Sequence, residues 1–101
     1  MHSLLILYPT QPNPEAFIEY YETTHLALVR QIPGLGGFSY GFHLGALEGA
    51  SPYFCRFEAD FASAEAMGQA LGSPEGQATA GDVPNFATGQ PVILTFEKKV
   101  G

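Results

Sequence analysis

Few side chains in this chain can do chemistry, and they gather around one histidine. His25 lies in the stretch NPEAFIEYYETTHLALVRQI, Asn13 to Ile32, whose apolar residues recur at helical spacing. Phe17, Tyr21, Leu28 and Ile32 define one face, and His25 falls on it between Tyr21 and Leu28. Histidine is the side chain most easily poised as acid or base near neutral pH. In an apolar cleft its charged form is disfavoured, which leaves a neutral base or a hydrogen-bond donor. The competing reading is a buried histidine bonded to a backbone carbonyl or a tyrosine. Tyr8, Tyr20, Tyr21 and Tyr40 form a second group. Phenols can orient a carbonyl or stabilise an enolate, but they also bury well as core residues. Tyr8, at a strand end, and Tyr21, one turn before His25, are best placed to reach a cleft. Asn85 and Phe86 sit in an irregular segment, where a loop amide serves either a ligand or a turn. Phe38, Phe42, Phe57, Phe61 and Met67 read as core or cleft lining.

Other chemistries lack their residues. The histidines at positions 2, 25 and 43 show no metal-ligand spacing. Gly34-Leu35-Gly36-Gly37 follows a helix rather than a strand, so it is no phosphate loop or dinucleotide fingerprint. No cofactor and no metal are expected. Net charge is −6, and the only cations are Arg30, Arg56, Lys98 and Lys99. Such a chain cannot build the basic face that nucleic acid or an anionic membrane requires. Cys55 stands alone, so no intrachain disulfide can form, which suits a reducing cytoplasm. It has no activating neighbour and reads as a small core residue. The opening MHSLLILYPT lacks a basic region and a long apolar run, so a cytoplasmic location is expected.

The elements that must position these residues follow from periodicity and punctuation. Ser3 to Tyr8 is an apolar strand stopped by Pro9. Asn13 caps the helix, Pro14 starts it, and Pro33-Gly34 ends it after Ile32. Phe38 to Leu44 alternates, with Phe38, Tyr40, Phe42 and Leu44 on one face. After a turn-rich connection, Tyr53 to Phe61 alternates again and sets Arg56 and Glu58 on its mixed face. Ser63 caps a second helix over Ala64 to Leu71, and Ser73-Pro74-Glu75 opens a short helical piece to about Gly81. GDVPNFATGQP is irregular, and Pro91 to Glu97 is a final strand.

Strand, helix, strand, strand, helix, strand is the split βαβ order. The fold class is therefore α+β, ferredoxin-like βαββαβ: a four-stranded antiparallel sheet with two helices on one face. The 101 residues make one domain, residues 1–101. Leu5, Leu7, Phe54 and Ile93 are expected on the open face. With only 14% charged residues, that face is expected to join a homodimer, sheet against sheet.

The strand ending in Tyr-Pro, the block NPEAFIEYYETTHLALVRQIPGL and the block SPEGQATAGDVPNFATG together resemble the EthD family, from Tyr8 to Glu97. That resemblance implies a dimeric α+β barrel, two sheets closed on each other with helices outside. It also implies a largely apolar cleft between sheet and helices, with a histidine at the position of His25. The family is associated with ethyl tert-butyl ether degradation clusters, and its members are often labelled reductases. Related superfamily members include cofactor-free monooxygenases, polyketide cyclases, lactone isomerases and haem-degrading enzymes.

Three functions follow. The first is a small oxidoreductase or cofactor-independent isomerase, cyclase or monooxygenase acting on a small apolar or aromatic carbonyl compound. His25 is its acid/base, with Tyr8, Tyr21, Leu28, Phe38, Tyr40, Asn85 and Phe86 around the substrate. The second is a non-catalytic dimer that binds a small molecule or serves a degradation pathway. The third, a haem site on His25, is disfavoured because cations for the propionates are scarce.

Overall fold

The apolar run that begins the chain lies inside a sheet. A computed structural model describes residues 1–101. Strand β1, His2–Pro9, pairs antiparallel with β3, Tyr53–Phe61, on one side and with β4, Val92–Glu97, on the other. Strand β2, Gly37–Phe42, pairs with β3, so the order is β2-β3-β1-β4. Three helical bodies pack on one face of this antiparallel sheet, as the split βαβ pattern predicts.

The first body runs from Pro14 to Val29. Asn13 caps it through Oδ1, which accepts from the Ala16 N–H at 3.1 Å. Helix α1, Pro14–Tyr20, passes without a break into a π-helical turn, Tyr21–His25, and then into α2, Leu26–Val29. In the π turn the Leu26 N–H reaches five residues back to the Tyr21 carbonyl. The extra residue turns the inner face. Phe17, Tyr21, His25, Leu26 and Val29 are buried, whereas Leu28 is only half-buried. The helix also stops earlier than its apolar pattern suggests. Gln31 and Ile32 bond three residues back, and Ile32 precedes Pro33, whose ring disfavours helical backbone in the residue before it.

The second and third bodies are α3, Ala64–Gly72, and α4, Pro74–Asp82, with a 3-10 turn at Val83–Asn85. Ser73 joins them by closing one helix and opening the next. Its hydroxyl donates to the Ala70 carbonyl at 2.5 Å and accepts from the Gly76 N–H at 3.1 Å. Gly76 seats α4 against the end of α3 so closely that a Cβ there would stand 2.3 Å from the Ala70 carbonyl oxygen.

Two residues expected on the open face lie on the helix side instead. The register of β1 against β3 slips between Tyr8↔Cys55 and Pro9↔Tyr53, which leaves Phe54 as the extra residue of a bulge. Phe54 turns inward, is 7% exposed and packs edge-on against Phe17. Ile93 pairs with Ile6, shares its face, and lines the space under the helices. The open face carries Leu5, Leu7, Val92, Leu94 and Phe96 with a charged strip. There the Glu58 carboxylate meets Arg56 and Lys98, each at 2.8 Å. The core between sheet and helices is dense in aromatic rings. Tyr8, Phe17, Tyr21 and Phe86 meet with centroids 5.2 to 6.0 Å apart. Burying rings of this size supplies about 1.5–3 kcal/mol each and fixes the helix on the sheet.

Candidate functional site

A cavity of about 430 Å³ lies between the sheet and the helices, within the range of small-ligand sites. Its floor is β1 and β3, through Leu4, Ile6, Phe57, Ala59 and Phe61. Val29 and Ile32 form one wall, α4 with Gly76 and Val83 the other, and Gln90, Pro91 and Ile93 stand at the β4 side. The lining is overwhelmingly apolar and contains no Asp, Glu, Lys or Arg.

His25 enters this wall at the end of the π turn and is 3% exposed. Its ring stands between Tyr21 and Phe86, at centroid distances of 5.1 and 4.5 Å. Its Nδ1 lies 2.9 Å from Oδ2 of Asp82, the last residue of α4. The other carboxylate oxygen of Asp82 accepts from the Tyr20 hydroxyl at 2.7 Å and from the Asn85 amide at 3.0 Å. Three donors therefore converge on one carboxylate that is 8% exposed.

The electrostatics follow from these bonds. Burial alone would push the Asp82 carboxyl up, but the bonds from Asn85, Tyr20 and His25 outweigh it and hold it below the usual range. Burial lowers the His25 pKa below its ordinary 6.5, and the hydrogen bond and charge of Asp82 only partly oppose it. Near neutral pH the pair is thus a neutral imidazole against an ionised carboxylate. An ionised carboxylate can only accept, so Nδ1 carries the proton and Nε2 keeps its lone pair. No side-chain hydrogen bond in the protein engages Nε2. Proton uptake at Nε2 would place a cation against a buried anion, which stabilises it. That is the working arrangement of a general base.

Two phenols share the cavity wall. Burial raises the pKa of both Tyr8 and Tyr21 far above the ordinary 10.0, so both stay protonated as donors. The Tyr21 hydroxyl is fully buried, and its ring stands edge-on to Tyr8 with centroids 6.0 Å apart. Cys55, deeper on β3, is pushed by burial up to about 12 and remains a thiol. No three His, Cys, Asp or Glu side chains stand together as metal ligands would.

Of the residues singled out from sequence, the structure gathers Tyr8, Tyr21 and His25 at the cavity. Leu28 lies on the flank of the helix, and the π turn gives its inward place to Val29. Phe38 and Tyr40 sit on the edge strand β2, away from the cavity. The Arg30 guanidinium covers Phe38, and the Tyr40 hydroxyl donates to Glu22 at 3.0 Å. Phe86 and Asn85 stand behind the cavity wall: Phe86 packs on His25 and Asn85 holds Asp82. Asp82 itself is the residue that sequence reasoning passed over, along with the role of Tyr20. Its signal was an acidic residue at the C-terminal end of a helix, where the macrodipole disfavours negative charge.

The EthD domain family matches residues 11–90 of this chain. An uncharacterised 11.0 kDa protein from the thcB–thcC intergenic region of Rhodococcus erythropolis is 39% identical over 98% of this chain and 96% of its own length. An ethyl tert-butyl ether degradation (EthD) family protein from Bacillus halodurans superposes with a TM-score of 0.91. It is 30% identical over 98% of this chain and 99% of that one. A dimeric ferredoxin-like protein from Thermobifida fusca shares the fold at a TM-score of 0.68 and 18% identity, over 94% and 87% of the two chains. With the family match spanning both the helix that carries His25 and the helix that carries Asp82, the chain belongs to the EthD family.

Proposed function

We propose that this protein is a small enzyme that moves a proton on an apolar or aromatic carbonyl compound held in the cavity, with His25 as the acid/base. The observation that carries this reading is the His25–Asp82 pair. A buried imidazole is oriented through Nδ1 at 2.9 Å while its ring forms part of an otherwise apolar wall. Tyr20 and Asn85 keep Asp82 in place, so the base is held by a rigid shell rather than by a loop. A neutral base in a dry cavity suits abstraction of a proton next to a carbonyl, the first step of isomerisation, cyclisation or cofactor-free oxygenation.

The working unit in this reading is a homodimer joined through the open sheet faces. Leu94 is 49% exposed and pairs with Leu5, and Leu7, Val92 and Phe96 extend the same apolar strip. The test begins with native mass spectrometry of the purified protein against metabolite extracts, followed by turnover of whatever is captured. His25→Ala should bind the captured compound and fail to convert it. Undiminished conversion by that variant would remove the acid–base role.

A further inference from the structure

The cavity opens along one edge of the sheet. The lining residues that stay exposed are Gln77, Ala80 and Pro84, from α4 and the turn after it, and Gln90 and Ile93 on the β4 side. Ile93 is 60% exposed and still lines the space. Strand β4 is an edge strand, so no further strand closes the gap between it and α4. Away from this rim the wall is buried, and burial keeps its two phenols, Tyr8 and Tyr21, uncharged. No counter-charge reaches a molecule inside. Arg30 covers the Phe38 ring, Arg56 and Lys98 are held on Glu58, and Lys99 on Glu97. Asp82 spends both carboxylate oxygens on Tyr20, Asn85 and His25. An ionic group entering the cavity would lose its water and gain no partner of opposite charge. The rim is polar without being charged. Gln77 uses only its amide nitrogen, on the Leu71 carbonyl at 3.1 Å, and the Gln90 amide is exposed.

We propose that the cavity admits an uncharged amphiphile through the gap between α4 and β4, with its apolar body inside and a neutral hydroxyl or amide head at the rim formed by Gln77 and Gln90. This rests on the cavity being the substrate site of the acid–base reading, and it names the class and orientation of that substrate. Body and head then have separate determinants. Each methylene taken from water into the cavity contributes about fourfold to affinity until the space is filled. At the rim, a head that both donates and accepts matches a glutamine amide, which does the same. The reacting carbonyl lies along the body, on the wall that His25 shares. Carboxylates, phosphate esters and ammonium compounds are turned away for want of a counter-charge.

The test is calorimetric titration at neutral pH with hexan-1-ol, heptan-1-ol and octan-1-ol, and with octanoate and octylamine as charged counterparts. Alkanols carry no acidic C–H, so their binding is read independently of proton transfer. Affinity should rise about fourfold with each added methylene. Octanoate and octylamine should bind at least about tenfold more weakly than octan-1-ol. Ile93→Lys and Ala80→Lys place a cation on the two sides of the rim, each at an exposed position. Either should improve octanoate relative to octan-1-ol by about tenfold, and the second serves if the first fails to fold. Leu47→Lys makes the same change in charge at a fully exposed loop residue outside the cavity and should leave both affinities unchanged. Octanoate bound as tightly as octan-1-ol by the wild type would overturn the inference. So would an affinity that ignores chain length, rim lysines that act no differently from Leu47→Lys, or binding of no alkanol. If the alkanols behave as expected while His25→Ala still converts the native substrate, the inference stands and the acid–base reading fails.

Discussion

Replacing Asp82 by Asn tests whether the carboxylate orients His25. The side chain keeps its shape, and only charge and one acceptor are lost. In the native fold one carboxylate oxygen of Asp82 accepts two bonds, from Tyr20 and Asn85, and the other accepts one, from His25. An Asn amide satisfies more donors by turning its oxygen to Tyr20 and Asn85. Its NH₂ then faces His25 Nδ1, which must become an acceptor, and the imidazole proton moves to Nε2. The base that faced the cavity becomes a donor. Bonds to a charged group contribute about 1.5–3 kcal/mol and neutral ones about 0.5–1.5. Weakening three of them costs on the order of 2–3 kcal/mol, which for a domain of this size lowers the melting temperature by about 10–20 °C. Proton transfer should fall by about 10²–10⁴, the usual contribution of a positioned base. Thermal melts and deuterium incorporation into a bound ketone measure the two effects. A variant with native stability and native exchange would refute the idea that Asp82 governs the tautomer.

Three other perturbations have definite outcomes. Burial lowers the pKa of His25, and hydrogen bonds lower that of Asp82, so for both groups the unfolded chain binds protons more readily than the fold. Denaturant stability should be full above pH 6.5 and decline as pH falls, first through the histidine and then through the carboxylate range; His25→Gln should flatten the first part. Gly76→Ala drives a Cβ into the Ala70 and Leu71 carbonyl oxygens, at 2.3 and 2.7 Å, both backbone. It should destabilise the protein by about 1–3 kcal/mol in chemical denaturation, with the α3–α4 corner losing amide protection first. Leu94→Asp puts a carboxylate among Leu5, Leu7 and Phe96 on the open face. Sedimentation should show a dimer for the wild type and a monomer for the variant, whose circular dichroism remains native.

The fold was legible because its signals are local. Alternation marks β2 and β3, and Asn13, Ser63 and Ser73 announce the helices by cap chemistry, each accepting from the N–H three residues on. What escaped reading depends on single-residue insertions or on distance. The π turn adds one residue to a helix without changing the residue types around it, so spacing alone assigned Leu28 the place that Val29 holds. The bulge at Phe54 likewise reverses one residue of an otherwise faithful alternation. At the site, His25, Tyr21 and Tyr8 stood out because they are polar groups on apolar faces. Asp82 did not, because its meaning comes from a partner 57 residues away in sequence. Asn85 and Phe86 lie in the right neighbourhood for a different reason from the one their loop suggested, as supports of Asp82 and His25.

The central claim is that His25 stands neutral at the cavity with its proton on Nδ1 and its lone pair on Nε2. Ring nitrogen chemical shifts of selectively labelled His25, followed across pH, report this directly. A protonated Nδ1 and a bare Nε2 are expected at neutral pH, with Nε2 the nitrogen that shifts when a carbonyl compound enters. An imidazolium at pH 7, or a proton on Nε2, would contradict it.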